Sequence, residues 1–158
     1  MRVVVAFAFL ILVGDRALAQ PAKRLGDGYR AYERGDLAAA KAALAGLDVD
    51  ALANRDYALW LRGTIALRTG KLEAARKDFE QLGTLDSVYR REVPWRLADI
   101  AWERGDRGEA AKAYAKLIGL KVVAAGPEKL GNPGGDPGTA RYRIAETKTG
   151  AAALAAYR

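Results

Sequence analysis

Few of the side chains that enzymes use as nucleophiles, bases or metal ligands occur in this chain of 158 residues. It contains no histidine and no cysteine, and Ser87 is its only serine. It therefore lacks a thiol nucleophile and an imidazole base, and it cannot assemble a serine–histidine–aspartate triad. Zinc sites of cysteine and histidine are excluded as well, so a metal ion would need carboxylate ligands alone. We predict no catalytic residue, no cofactor and no metal site.

Aromatic rings are the side chains best suited to binding a ligand in this chain. Exposed tryptophan and tyrosine rings stack on sugars and on peptide side chains, but the same rings also fill hydrophobic cores. The rings to be considered are Tyr29, Tyr32, Tyr57, Trp60, Trp95 and Trp102. Whether each ring faces a ligand or the core depends on the elements that carry it.

A repeat of 35 residues organises those elements. Glu-Arg-Gly-Asp at residues 33–36 recurs at residues 103–106, and Gly35, Gly70 and Gly105 are equally spaced. A period of this length is the signature of stacked structural repeats. Seven columns keep their character over three copies: Leu25, Trp60 and Trp95; Gly28, Gly63 and Ala98; Ala31, Ala66 and Ala101; Tyr32, Leu67 and Trp102; Ala40, Ala75 and Ala110; Leu44, Phe79 and Tyr114; Leu47, Leu82 and Leu117.

Each copy of the repeat is predicted to form two helices joined at its glycine. The columns before the glycine are three, three and one residues apart and those after it four and three apart, so each set shares one helix face. The glycine suits the left-handed end of the first helix, and Asp36 or Asp106 then begins the second. A hairpin cannot bury both of its faces alone, so neighbouring hairpins must stack. We predict an all-α fold, specifically a right-handed α-solenoid of helical hairpins.

This register divides the aromatic residues into two groups. The three tryptophans fall in apolar columns, so we expect Trp60, Trp95 and Trp102 to lie in the core. The columns of Tyr29 and Tyr57 also hold polar residues, which is typical of a surface that faces solvent. We therefore predict a ligand groove whose wall consists of Tyr29, Tyr57, Thr64, Glu92 and Asp99.

The repeated positions resemble a tetratricopeptide repeat over roughly residues 25–118. In the second copy they are the small Gly63 of the first helix, Gly70 between the helices, Ala75 and Phe79. Residues 56–60, together with Ala75, Phe79 and residues 141–146, are similar to the amino-terminal superhelical region of bacterial soluble lytic transglycosylases. This second resemblance implies a non-catalytic module of the cell envelope that binds a protein or a peptidoglycan-associated partner.

The catalytic motif of those enzymes is missing from this chain. The resemblance implies a glutamate that acts as general acid and base and that is followed directly by serine. None of the eight glutamates here precedes a serine. Met1 is the only methionine, so the Gly-Leu-Met-Gln type of stretch downstream is absent as well. No residue inherits a catalytic role.

The amino terminus has the pattern of a secretory signal peptide. Arg2 supplies the positive start, residues 3–13 are all apolar, and Ala17 and Ala19 are the small residues that a signal peptidase reads. The apolar run is much shorter than the roughly 20 residues that a spanning helix needs. We predict a signal peptide over residues 1–19, cleavage after Ala19, and a periplasmic or secreted protein with no stable membrane anchor.

The rest of the chain is predicted to form three repeats and an incomplete fourth. The repeats occupy residues 20–121, a loop rich in glycine and proline covers residues 122–139, and a partial fourth repeat covers residues 140–158. The formal net charge is +7, but basic residues alternate with acidic ones along the helices. We therefore predict no nucleic-acid partner.

Three functions fit these features. The leading interpretation is an exported, non-catalytic helical-repeat module that binds protein or cell-envelope partners. A second is a fragment of a peptidoglycan lytic transglycosylase whose catalytic domain lies beyond Arg158. A third is a periplasmic scaffold or adaptor for assembly of the envelope.

Overall fold

Seven α-helices and one short 3₁₀ helix make up the part of the chain that the computed structural model describes, residues 20–119 and 135–148. No strand occurs in these ranges, which confirms the all-α prediction. The 3₁₀ helix Val88–Glu92 leads directly into the fifth α-helix. The α-helices are α1 (20–33), α2 (Leu37–Leu44), α3 (Arg55–Arg68), α4 (Leu72–Gly83), α5 (Val93–Arg104), α6 (Arg107–Gly119) and α7 (Pro137–Glu146).

Several predictions fall outside the described residues, and one boundary is corrected within them. The predicted signal peptide, most of the glycine- and proline-rich loop, and residues 149–158 lie outside. Helix α7 begins at Pro137, inside the range predicted as loop. The carboxylate of Asp136 accepts the backbone N–H groups of Gly138 and Thr139, and proline suits a first helical turn. The cap therefore starts the helix three residues earlier than predicted.

Left-handed glycines end α1, α3 and α5, as predicted. The φ angles of Gly35, Gly70 and Gly105 are 77°, 69° and 93°. In each turn the residue after the glycine donates its backbone N–H to the carbonyl of an alanine five residues earlier, at 2.8–2.9 Å. These hydrogen bonds satisfy carbonyls that the helix end leaves free. Asp36 then caps α2, because its carboxylate accepts the N–H of Ala39 at 2.9 Å.

A small residue on one helix contacts a large apolar residue on the next. A Cβ atom added at Gly28 in α1 would lie 2.7 Å from Leu44 Cδ2 in α2. One added at Gly63 in α3 would lie 3.1 Å from the ring of Phe79 in α4. Leu44 and Phe79 are 2% and 0% exposed. The glycine backbones are therefore packed directly against buried side chains, which lets each pair of helices approach closely.

Two buried clusters of side chains share α5. Val93 and Ile100 belong to the cluster that extends over α1 to α5. Trp95 and Ala98 belong to the cluster that includes Tyr114 of α6 and residues of α7. Because α5 contributes to both clusters, it links the first four helices to the last two.

The prediction that all three tryptophans lie in the core is correct only for Trp95, which is 5% exposed. Trp60 and Trp102 are half-buried at the border of the core. The guanidinium groups of Arg107 and Arg143 lie 4.9 Å and 5.3 Å from the ring centre of Trp102. A wide indole has room to pack one edge on the core and to present its face to a cation, so an apolar column does not guarantee full burial.

Substitution of Gly28 tests the close approach of α1 and α2. Gly28→Ala should lower the free energy of unfolding by about 1–3 kcal/mol, because its Cβ overlaps the side chain of Leu44. Gly108 in α6 is the control, since an added Cβ meets no atom within 4 Å there. Gly108→Ala should leave stability unchanged or raise it by up to about 1 kcal/mol. Urea denaturation followed by helical circular dichroism measures both changes, and equal effects would contradict this packing.

Candidate functional site

A continuous line of side-chain contacts connects α1, α3, α5 and α7, which are alternate helices of the chain. We call this surface the strip. Its aromatic part begins on α1 and ends at the 3₁₀ helix, and its polar part continues from there to α7. The aromatic part consists of Tyr29, Tyr32, Tyr57, Trp60 and Tyr89, and the polar part of Glu92, Arg96, Asp99 and Arg143.

Tyr57 is the centre of the aromatic part. Its ring centre lies 6.0 Å from that of Tyr29, 5.9 Å from that of Trp60 and 5.9 Å from that of Tyr89. Burial, followed by the neighbouring tyrosines, raises the pKa of Tyr57 to about 12. A tyrosine hydroxyl is protonated at neutral pH even without this shift, so Tyr57 can donate a hydrogen bond there. Tyr29, at one end, is 41% exposed.

Ser87 positions the aromatic ring contributed by the 3₁₀ helix. Its hydroxyl donates to Asp56 Oδ2 at 2.7 Å, and its oxygen accepts the backbone N–H of Tyr89 at 3.1 Å. The first bond attaches the start of the 3₁₀ helix to α3, and the second fixes the turn that carries Tyr89. The only serine of the chain thus holds Tyr89 in place beside α3.

Glu92 joins the aromatic part of the strip to the polar part. Its Oε2 atom accepts the indole N–H of Trp60 at 2.9 Å and the Nη2 of Arg96 at 3.3 Å. A half-buried indole N–H requires an acceptor, and this carboxylate supplies it. The orientation of the Trp60 ring is therefore fixed by a residue that lies 32 positions later in the chain.

Asp99 is the centre of the polar part. Its carboxylate accepts hydrogen bonds from Arg96 at 3.2 Å, from the hydroxyl of Tyr114 at 2.7 Å and from Arg143 at 2.6 Å. Arg143 also contacts the Tyr114 hydroxyl and, at 3.3 Å, Glu103. Burial and the hydrogen bond to Asp99 raise the pKa of Tyr114. These bonds attach α7 to α5 and α6.

A cleft of about 450 Å³ opens beside the polar part of the strip. Residues of α3, α5, α6 and α7 line it, and they include side chains of both charges. Arg68 lies 5.6 Å from the ring centre of Tyr32, and it forms no ion pair with any residue in the described ranges. The cleft therefore combines rings with three arginines and three carboxylates, among which Arg68 and Asp136 form no ion pair with a described residue, and this suits binding of a polar ligand.

Four of the five predicted groove residues lie on the strip, namely Tyr29, Tyr57, Glu92 and Asp99. Thr64 does not, and its assignment to the groove is corrected. It is 8% exposed, and its hydroxyl donates to the carbonyl of Trp60 at 2.7 Å. A threonine within a helix can satisfy its hydroxyl on the carbonyl four residues earlier, so a polar residue in this column does not need solvent.

The sequence did not predict Arg96 and Arg143 of the polar part, nor Tyr114, which donates a hydrogen bond to Asp99 from α6. Tyr114 shares a column with Leu44 and Phe79, so its position predicted burial but gave no sign of a role for its hydroxyl. Arg143 lies 44 residues from Asp99, beyond the reach of any pattern within one helix. The pairing of these residues depends on how α7 docks.

No protein-family model, curated protein or solved structure matches this chain. Within residues 20–119 and 135–148, no group of three or more potential ligand side chains could hold a metal ion. No helix in the same ranges has both the length and the apolar character needed to cross a membrane. The function is therefore inferred from the strip and the cleft beside it.

Loss of the Arg143 guanidinium should loosen α7. In Arg143→Ala, Asp99 loses a donor while it stays partly buried, so opening of α7 should become easier by about 1–3 kcal/mol. Hydrogen exchange of the α7 backbone amides measures this change. Arg141 is the matched control on the same helix, because its side chain forms no hydrogen bond or ion pair with another described residue. Arg141→Ala should change protection by less than about 0.5 kcal/mol, and equal losses would contradict the role of Asp99.

Proposed function

We propose that this chain is an exported, non-catalytic helical-repeat module that uses the strip to bind a protein or cell-envelope partner. In this proposal the described helices are the repeats, the strip is the binding surface, and the predicted signal peptide over residues 1–19 directs the chain to the periplasm. The repeated packing of the helices supports the helical-repeat arrangement, and the exposed ring of Tyr29 supports the binding role. The hydrogen bonds of the strip support binding over catalysis.

We further propose that α1 to α6 form three stacked hairpins of a right-handed, tetratricopeptide-like solenoid with a period of 35 residues. Two observations support this arrangement. Left-handed glycines recur at that spacing, and the contacts of Gly28 with Leu44 and of Gly63 with Phe79 are also 35 residues apart. The same features underlie the resemblance to the superhelical region of soluble lytic transglycosylases.

The exposed aromatic end of the strip is the observation that carries the binding role. Tyr29 is 41% exposed, although its ring packs edge-on against Tyr57. A ligand that stacks on Tyr29 therefore meets a ring that is already held in place, which reduces the entropy lost on binding. The strip continues to the cleft beside α7, so an extended ligand can contact both rings and charged groups.

The chemistry of the strip favours binding over catalysis. Tyrosine hydroxyl groups are protonated at neutral pH, and burial raises the pKa of Tyr57 and of Tyr114 further, so both groups serve as hydrogen-bond donors there. Asp99 already accepts hydrogen bonds from three side chains, which leaves it poorly placed to remove a proton from a substrate. The strip offers donors, acceptors and ring faces, which are the groups that hold peptides and glycans.

Site-specific photo-crosslinking tests this proposal. A benzophenone amino acid is placed at Tyr29 and, as the control, at Glu80, which is exposed on α4 outside the strip. In a cell-envelope extract, crosslinks should form at position 29 and be largely absent at position 80. Excess unlabelled protein should abolish them, and the Tyr29→Ala competitor should be about tenfold weaker. Equal crosslinking at both positions, or none at position 29, would refute the strip as the binding surface.

A further inference from the structure

A second cleft, of about 380 Å³, lies between α2 and α4 and shares no lining residue with the cleft beside the strip. The carboxyl-terminal half of α3 contributes to its floor. Leu44, Ile65, Ala66 and Ala74 line it from three helices; Leu44 and Ile65 are each 2% exposed, so the accessible apolar surface comes chiefly from the other lining residues. The cleft is therefore an apolar depression on a different part of the molecule.

Three lysines surround this apolar surface. Lys41 comes from α2, Lys71 directly precedes α4, and Lys77 lies within α4. All three are exposed, and none forms an ion pair with a residue in the described part of the chain. We call these residues the lysine rim.

The one carboxylate that lines the cleft is already neutralised. Asp78 is 4% exposed, and both of its oxygens accept hydrogen bonds from Arg62, at 2.6 Å and 2.8 Å. With two parallel hydrogen bonds, the positive charge of Arg62 and the negative charge of Asp78 neutralise each other within the cleft. The lysine rim therefore contributes three positive charges that no side chain of the cleft balances.

Lys71 occupies a position where a carboxylate would favour the helix. The residue after the left-handed glycine is Asp36 before α2 and Asp106 before α6. Asp36 caps its helix, whereas the Lys71 side chain makes no capping hydrogen bond to α4. The positive end of the helix dipole also disfavours a cation there. Helix stability thus accounts for Lys41 in the last turn of α2, but it does not account for Lys71.

We propose that the cleft between α2 and α4 binds an acidic, amphipathic peptide segment of a partner protein. An apolar side chain of the segment occupies the depression, and carboxylates on either side of it pair with the lysine rim. The lysines stand on both walls, one on the α2 side and two on the α4 side. A peptide with several separated carboxylates complements both walls at once, whereas a lipid carries its charge at one end.

Fluorescence anisotropy with synthetic peptides tests this proposal. The probe is a short labelled peptide in which leucine and phenylalanine are flanked by glutamates. One comparison peptide replaces the apolar residues by serine, and another replaces the glutamates by lysine. We expect saturable binding of the first peptide only, and we expect that binding to weaken as sodium chloride is raised. Equal binding of the serine peptide would overturn the proposal, because charge alone would then explain the affinity.

Lys71→Asp separates binding from folding. This substitution restores the residue type found at Asp36, so it should raise the midpoint of thermal unfolding. It should nevertheless weaken peptide binding by about tenfold or more, because it reverses a charge on the rim. The control is Lys116→Asp, since Lys116 is exposed on α6 and does not line the cleft; binding should change less than about twofold.

Several outcomes would overturn the proposal. Unchanged peptide binding in Lys71→Asp would exclude the lysine rim. Binding to phosphatidylglycerol vesicles that Lys71→Asp abolishes, without peptide binding, would assign the cleft to a lipid. Because Lys71 is not part of the strip, Lys71→Asp should leave crosslinking at Tyr29 unchanged, so failure of this proposal is distinguishable from failure of the strip.

Discussion

The close contact between a glycine backbone and a buried side chain of the next helix is the constraint on which this structure depends. Leu44 and Phe79 take the space that a Cβ would fill at Gly28 and Gly63. Helices α1 and α3 therefore each commit one face to the helix that follows. On another face, α1 and α3 contact each other through Tyr29, Tyr32, Tyr57 and Trp60, and Trp60 reaches α5 through Glu92 and Arg96; these contacts form the strip.

The strip also explains how the last described helix joins the rest of the molecule. Asp99 accepts hydrogen bonds from side chains of α5, α6 and α7. Glu92 connects that network to the indole of Trp60, because it accepts hydrogen bonds from both Arg96 and Trp60. The same side chains thus hold helices together and present a surface of rings and charges. A binding surface built from structural contacts is already ordered before a ligand arrives, which favours affinity.

Local patterns predicted the helices and their turns, but not the contacts between distant residues. The left-handed glycines, the cap at Asp36 and the burial of Trp95 follow from spacing and residue type within one hairpin. The bond of Trp60 with Glu92 and that of Arg143 with Asp99 depend on how separate hairpins pack, so no short pattern encodes them. Thr64 lies in the core and not on the predicted groove, because a helix carbonyl replaces the solvent that its hydroxyl would otherwise need.

The central claim is that the strip binds a partner from the cell envelope, and the indole N–H resonances of the three tryptophans test it most directly. Trp60 lies on the strip, where its indole N–H donates to Glu92, and the Tyr29→Ala variant serves as the control. In a titration with soluble envelope proteins and peptidoglycan fragments, followed by nuclear magnetic resonance, the Trp60 signal should shift in the unmodified protein and shift much less at the same concentrations in Tyr29→Ala. An unchanged Trp60 signal in every fraction, or equal shifts in the two proteins, would contradict the account.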